Sequence, residues 1–185
     1  MSSLKAIHVL LIDDNQHMRS IAAAVLQSAG VRTVLEAGDG AAGLDILRDP
    51  SISVDLAIVD FNMLPLDGVE FTRLVRTSPT TTNPYLPIIM MTGHSEKSRV
   101  YEARDAGVTE FVVKPITAKA ILDRIQAVIM RPRDFVKHES YFGPDRRRTN
   151  TANYTGPLRR SGDVQPEAQT DEAADEATPA ESGAA

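Results

Sequence analysis

The chain has no cysteine, which excludes disulfides, thiolate nucleophiles and cysteine-ligated zinc. Histidine is scarce too: His8, His17, His94 and His138 are the four, and their spacing forms no metal-ligand pattern. No apolar run approaches the roughly 20 residues that a membrane-spanning helix needs. The opening MSSLKAIHVLLIDD has too short an apolar stretch for a secretory signal and lacks a small-residue cleavage site. The expectation is a soluble, cytoplasmic protein with no membrane insertion.

Of the 185 residues, 42% are hydrophobic, enough for one core of about 120 residues. The net charge of −5 is unevenly spread. Residues 1–130 hold 12 basic and 15 acidic side chains, residues 131–160 hold 8 and 3, and residues 161–185 hold none and 7. A basic segment followed by an acidic one is the pattern of interaction segments rather than of a core.

Apolar runs of strand length recur at 7–12, 33–37, 54–60, 86–91 and 109–114. Helical periodicity fills the gaps between them. Met18, Ile21, Ala22, Val25, Leu26 and Ala29 share one helical face. Ala41, Leu44, Ile46 and Leu47 mark a second helix, and Val69, Phe71, Leu74 and Val75 a third. Val100, Ala103 and Ala106 mark a fourth; Ile121, Leu122, Ile125, Val128 and Ile129 mark a fifth, with Thr117 as its N-cap. Gly30 and Gly107 stand where helices should stop. Strands that are apolar on both sides and alternate with helices imply a parallel sheet covered on both faces, one α/β domain over residues 4–131.

In such a sheet, ligands sit at the carboxyl ends of the strands. The first strand ends in Asp13-Asp14, the third in Asp60, the fourth in Thr92-Gly93 and the fifth in Lys114-Pro115. A charge at a buried strand tip costs free energy unless something pairs with it. Three carboxylates brought together raise one another's pKa unless a cation intervenes. Hard oxygen ligands with water completing the shell suit Mg²⁺, which together with Lys114 would bring the cluster to neutrality. This arrangement is suited to phosphoryl transfer, with Asp60 as nucleophile and Lys114 and the Thr92 hydroxyl contacting the phosphoryl oxygens.

Taken in register, these elements resemble the receiver domain of a two-component response regulator. The resemblance implies a flavodoxin-like, doubly wound five-stranded parallel sheet in the order 2-1-3-4-5 with five helices, and makes the chain similar to chemotaxis-type single-domain regulators. It implies that Asp60 is the phosphoacceptor, Asp14 a direct Mg²⁺ ligand, Asp13 a ligand through water and Asn62 the donor of a backbone carbonyl. Lys114 would contact the phosphoryl group through a loop with a cis Lys114-Pro115 bond, and Phe111 would occupy the aromatic switch position. The implied partners are a histidine kinase or histidine phosphotransfer protein and a downstream protein effector, with catalysis limited to the protein's own phosphorylation and dephosphorylation. Two features depart from the family pattern. The usual proline four residues after the phosphoacceptor is Leu64, with Pro65 next, and His94 stands two residues after Thr92.

Beyond residue 131 the composition changes. Residues 132–160 form an arginine-rich extension containing YFGPDRRR and YTGPLRRS, a Tyr-x-Gly-Pro-x-Arg-Arg repeat. Its candidate ligand-docking residues are Tyr141, Arg146, Arg147, Arg148, Tyr154, Arg159 and Arg160, arginines suited to phosphates or carboxylates and tyrosines to stacking. The anion could belong to a kinase or effector surface, RNA or a cyclic dinucleotide. Residues 161–185 are acidic and lack aromatics, as in disordered chains, and this tail leaves no room for a DNA-binding output domain. Two other functions compete with the response regulator. A haloacid-dehalogenase-type hydrolase would want Asp-x-Asp at the first strand tip, whereas here the nucleophile candidate is on the third. A receiver-like scaffold whose main ligand is a nucleotide would bind it through the arginines without needing Asp60.

Overall fold

The computed structural model describes residues 4–93, 99–138 and 141–146. His94, Arg147, Arg148, Tyr154, Arg159, Arg160 and the acidic segment 161–185 lie outside the described residues. The elements run β1 (His8–Ile12), α1 (Gln16–Ser28), β2 (Thr33–Ala37), α2 (Gly40–Arg48), β3 (Leu56–Asp60), α3 (Gly68–Thr77), β4 (Ile88–Thr92), α4 (Val100–Ala106), β5 (Glu110–Val113) and α5 (Ala118–Met130). A final pair, β6 (Phe135–His138) and β7 (Tyr141–Pro144), follows α5.

The five-stranded sheet has the order β2-β1-β3-β4-β5 and is parallel throughout, as expected. Successive strand residues point to opposite faces. Val9, Leu11, Ile58, Ile89 and Met91 therefore pack with α1 and α5, through Ala22, Leu26, Ile121 and Ile125. Leu10, Ile12, Ala57, Val59 and Ile88 pack with α2 and α3, through Leu44, Leu47, Phe71 and Val75. A smaller cluster of Phe61, Val69, Met90, Ala103 and Ala106 seats α4.

Side-chain caps start four of the helices: Asn15, Asp39, Asp67 and Thr117 each accept a hydrogen bond from a first-turn backbone N–H. Gly107 ends α4 in the left-handed region at φ 102°, where a side chain would be strained. The expected face of α1 needs one correction. Ile21 is exposed, and the buried stripe runs through Ala22, Ala23 and Leu26.

The β6–β7 hairpin is not expected from the sequence, because two strands of four residues are too short to show a readable period. Its register pairs Phe135 with Pro144 and His138 with Tyr141. The rings of Phe135 and Phe142 meet Tyr85, from the loop before β4, with all three centroid separations between 5.2 and 5.6 Å. Arg76, at the end of α3, is only 5% exposed. Its Nε and Nη2 donate to the Gly107 carbonyl at 3.2 and 3.0 Å, its Nη1 donates to the Pro84 carbonyl at 2.8 Å, and Phe135 lies over the guanidinium. Burial draws its pKa down to about 10, against a raising contribution from Tyr141. Arg133 pairs with Glu110 at the start of β5.

Tyr141 to Pro144, from the first copy of the repeat, therefore form the second strand of this hairpin. The Tyr141 hydroxyl donates to the Pro144 carbonyl at 2.7 Å. Arg146 lies 4.1 Å from the Tyr141 ring centroid and pairs with Asp105 of α4 at 3.1 Å. Gly143 has to be glycine, because a methyl group there would sit 2.6 Å from the Tyr141 hydroxyl and 2.9 Å from the Gly107 Cα. Tyr141 and Arg146, two of the candidate docking residues, make these contacts within the receiver unit. The compact unit that holds the sheet runs through Arg146.

Candidate functional site

β1 and β3 lie side by side at the point where the strand order reverses, and their carboxyl ends open a crevice. Asp13 follows β1 and is 1% exposed; Asp60 closes β3 at 8% and Thr92 closes β4 at 5%. Asp14 is exposed beside them. One carboxylate oxygen from each of Asp13, Asp14 and Asp60 lies within 4.8 Å of the others.

Lys114, just after β5, reaches into this group. Its Nζ is 2.8 Å from Asp60 Oδ1 and 3.1 Å from Asp13 Oδ2. The Lys114 backbone N–H donates to the Thr92 carbonyl at 2.8 Å, and the Lys114-Pro115 bond is cis. Asp60 Oδ1 also accepts from the Phe61 N–H at 2.8 Å, and Asp13 Oδ1 from the Asn15 N–H at 2.9 Å.

Burial pushes the Asp60 carboxyl above the ordinary carboxylate range; the bond to Lys114 and its charge oppose this, while the Asp13 charge adds to it. Burial alone would lower Lys114, but its bonds to Asp60 and Asp13 and their charges outweigh that, so its pKa is raised and it stays an ammonium. Three carboxylates against one ammonium leave the cluster two charges negative. Hard oxygen donors with that deficit fit a divalent cation such as Mg²⁺.

The loop after Asp60 carries Asn62, Met63, Leu64 and Pro65, with a cis Leu64-Pro65 bond. Together with Asp14, Asp67, Glu70 and Arg99 they line an open cleft of about 470 Å³. Gly68 closes the loop, its N–H donating to the Phe61 carbonyl at 3.1 Å. A methyl group at Gly68 would stand 2.3 Å from the Asp60 carbonyl oxygen, which is why Asp67 is followed by glycine. Phe111, on β5, is half-buried against the cluster beneath α4.

Thus Asp13, Asp14, Asp60 and Lys114 are brought together, Thr92 ends the neighbouring strand, Asn62 lines the cleft, and Phe111 packs against the cluster that seats α4. Two arginines join the surroundings without any motif to announce them. Arg19 donates through Nη1 to the Asp13 carbonyl at 2.7 Å and pairs with Glu36. Arg99 reaches from the start of α4 to the loop after Asp60.

Residues 9–126 match the response regulator receiver domain family. The chain belongs to that family. This receiver is 32% identical to the chemotaxis protein CheY of Pseudomonas aeruginosa over 123 residues, covering 66% of this chain and 96% of that protein. The structure of Vibrio cholerae CheY4 is 30% identical and superposes with a TM-score of 0.58 over 66% of this chain and 98% of its own. The receiver domain of the P. aeruginosa sensor histidine kinase PA1611 is 25% identical, with a TM-score of 0.59 over 67% of this chain and 98% of its own, and has a magnesium ion coordinated in its active-site cleft. The receiver is accordingly a phosphoryl-accepting signalling module of the CheY type, a class that binds Mg²⁺ in its acidic cleft and works between a phosphodonor kinase and a downstream effector. Receiver domains generally signal rather than turn over a substrate, and family membership sets the haloacid-dehalogenase alternative aside. Among the described residues, no helix is long and apolar enough to cross a membrane.

Proposed function

We propose that this receiver is a cytoplasmic single-domain response regulator. In this reading Asp60 takes a phosphoryl group from a histidine kinase or histidine phosphotransfer protein, and the phosphorylated form is read by a protein effector. The observation that carries the reading is the Lys114 ammonium lying between Asp60 and Asp13, at 2.8 and 3.1 Å, in a cluster of three carboxylates. Such a site both holds a nucleophilic carboxylate and stabilises anionic oxygens arriving beside it.

Asp13, Asp14, Asp60 and the Asn62 backbone carbonyl would hold Mg²⁺, which when bound supplies positive charge to the carboxylates and the phosphoryl oxygens. A carboxylate oxygen of Asp60 attacks phosphorus in line with the donor imidazole; the P–N bond breaks and an acyl phosphate forms on Asp60. Lys114 then exchanges part of its pairing with Asp60 for a phosphoryl oxygen. Thr92, at the end of the neighbouring strand, donates its hydroxyl to another. Phe111, on the strand leading to Lys114, turns inward as Thr92 is drawn toward the phosphoryl group, and so biases the face formed by α4, β5 and α5 between two states.

Incubation with acetyl phosphate and Mg²⁺ is expected to add one phosphoryl mass to the full chain, and Asp60→Asn to abolish the addition. Equal labelling of Asp60→Asn would overturn the assignment. Lys114→Ala is expected to accept phosphate more slowly and to lose the phosphorylation-dependent change in effector affinity.

A further inference from the structure

The loop from Phe61 to Asp67 must hold Asp60 and the Asn62 main chain in place, yet it is short and open to solvent along the cleft. A single guanidinium touches both of its ends. Arg99, the residue before α4, donates through Nη2 to Asp67 Oδ2 at 3.0 Å, where the loop enters α3. Its Nη1 makes a longer, 3.4 Å contact with Asn62 Oδ1, near the loop's start. Its guanidinium carbon lies 4.9 Å from the centroid of the Phe61 ring, and Phe61 is fully buried. The fourth contact, from Nε to Glu102 Oε2 at 3.3 Å, stays within the α4 segment. Glu102 is held in turn by Arg73 of α3 at 3.3 Å. The planar fork makes this bridge available to arginine, because one group presents separate N–H donors in fixed directions and a flat face to an aromatic ring.

We infer that Arg99 is a positioning residue for the Asp13–Asp14–Asp60 metal site: by tying Phe61 and Asn62 to Asp67, it fixes the loop that follows Asp60. Its influence passes through Phe61, the neighbour of Asp60, and through Asn62. The inference rests on the reading of Asp60 and Asn62 given above. It differs from simple helix packing in one respect. Packing would be served equally by the Glu102 contact, whereas positioning depends on the contacts to residues 61, 62 and 67.

The test is direct Mg²⁺ binding to the unphosphorylated full chain, by calorimetry, in wild type, Arg99→Ala, Arg99→Lys and Glu102→Gln. Arg99→Ala is expected to weaken Mg²⁺ about tenfold, which is the effect of losing roughly 1.4 kcal/mol of preorganisation. Arg99→Lys, keeping the charge but not the fork, is expected to fall between that and wild type. Glu102→Gln is expected to leave Mg²⁺ affinity within twofold of wild type. Unchanged affinity in Arg99→Ala, or an equal loss in Glu102→Gln, would overturn the inference. No phosphorylation enters this measurement. A wild type that binds Mg²⁺ but takes no phosphoryl group would therefore sink the proposed function and leave the role of Arg99 standing.

Discussion

Gly68 shows how closely a single residue is bound to the chemistry. It starts α3 with its Cα against the main chain of Asp60, where a methyl group would come to 2.3 Å from the carbonyl oxygen and 3.1 Å from Met90 Cε. Backbone cannot yield as the tip of a side chain can, so Gly68→Ala must push α3 away or displace Asp60. The expected loss of stability is about 1–3 kcal/mol, measured by urea unfolding. A slower reaction with acetyl phosphate should accompany it. Stability and rate both equal to wild type would mean that Asp60 and α3 are not held as tightly as the contact requires. The meeting of Asp13, Asp14, Asp60 and Lys114 was legible in the sequence because each stands at or just past the carboxyl end of a strand, where a parallel sheet gathers its polar groups. Arg99 and Arg19 were not, since an arginine on a polar helix looks the same whether it faces water or a loop.

Helices supply the second scale, and Asp67 at the head of α3 shows how a cap can serve two ends. Its Oδ1 accepts from the Glu70 N–H at 2.8 Å while Oδ2 receives Arg99 at 3.0 Å. Desolvation pushes its pKa up, but the Glu70 N–H and Arg99 outweigh it and hold the carboxyl below the ordinary range. A folded pKa below the unfolded one means that the stability is fully present above the unfolded value, about 4, and is lost as pH falls below it through the folded value. Asp67→Asn keeps an oxygen for the cap and removes the charge. Its stability deficit relative to wild type should be present at pH 7 and close as pH drops toward 3. Asp67→Ala should lose about 1 kcal/mol more at neutral pH through the missing cap. Urea midpoints at pH 7 and pH 3 decide it; a gap between wild type and Asp67→Asn that does not narrow would contradict the ion-pair role. Thr117 is the matching success of sequence reading, capping α5 where the pattern of Ile121, Ile125 and Val128 begins.

At the scale of the molecule, the doubly wound core was legible because continuous apolar strands alternate with helical periods, and each reading reinforced the next. The hairpin was opaque for the opposite reason. Its stability comes from partners far away in sequence: Tyr85 before β4, Arg76 at the end of α3, and Asp105 and Gly107 at the end of α4. The repeat suggested docking, and nothing in its pattern announced that Tyr141 and Arg146 would also contact Pro144 and Asp105. If the hairpin is part of the same cooperative unit, Phe142→Ala should lower the midpoint of one unfolding transition by about 1–3 kcal/mol of stability. Calorimetry together with far-ultraviolet circular dichroism can follow this. A separate early transition with the main midpoint unmoved would make the hairpin an independent attachment.

That seat also has an engineering consequence. Moving residues 132–146 onto another receiver transfers only half of a joint. The recipient must also supply an aromatic at the position of Tyr85, an arginine at Arg76, an acid at Asp105 and a bare backbone at Gly107. A graft that brings these four along is portable. One that brings only the Tyr-x-Gly-Pro-x-Arg-Arg string carries the key without the lock.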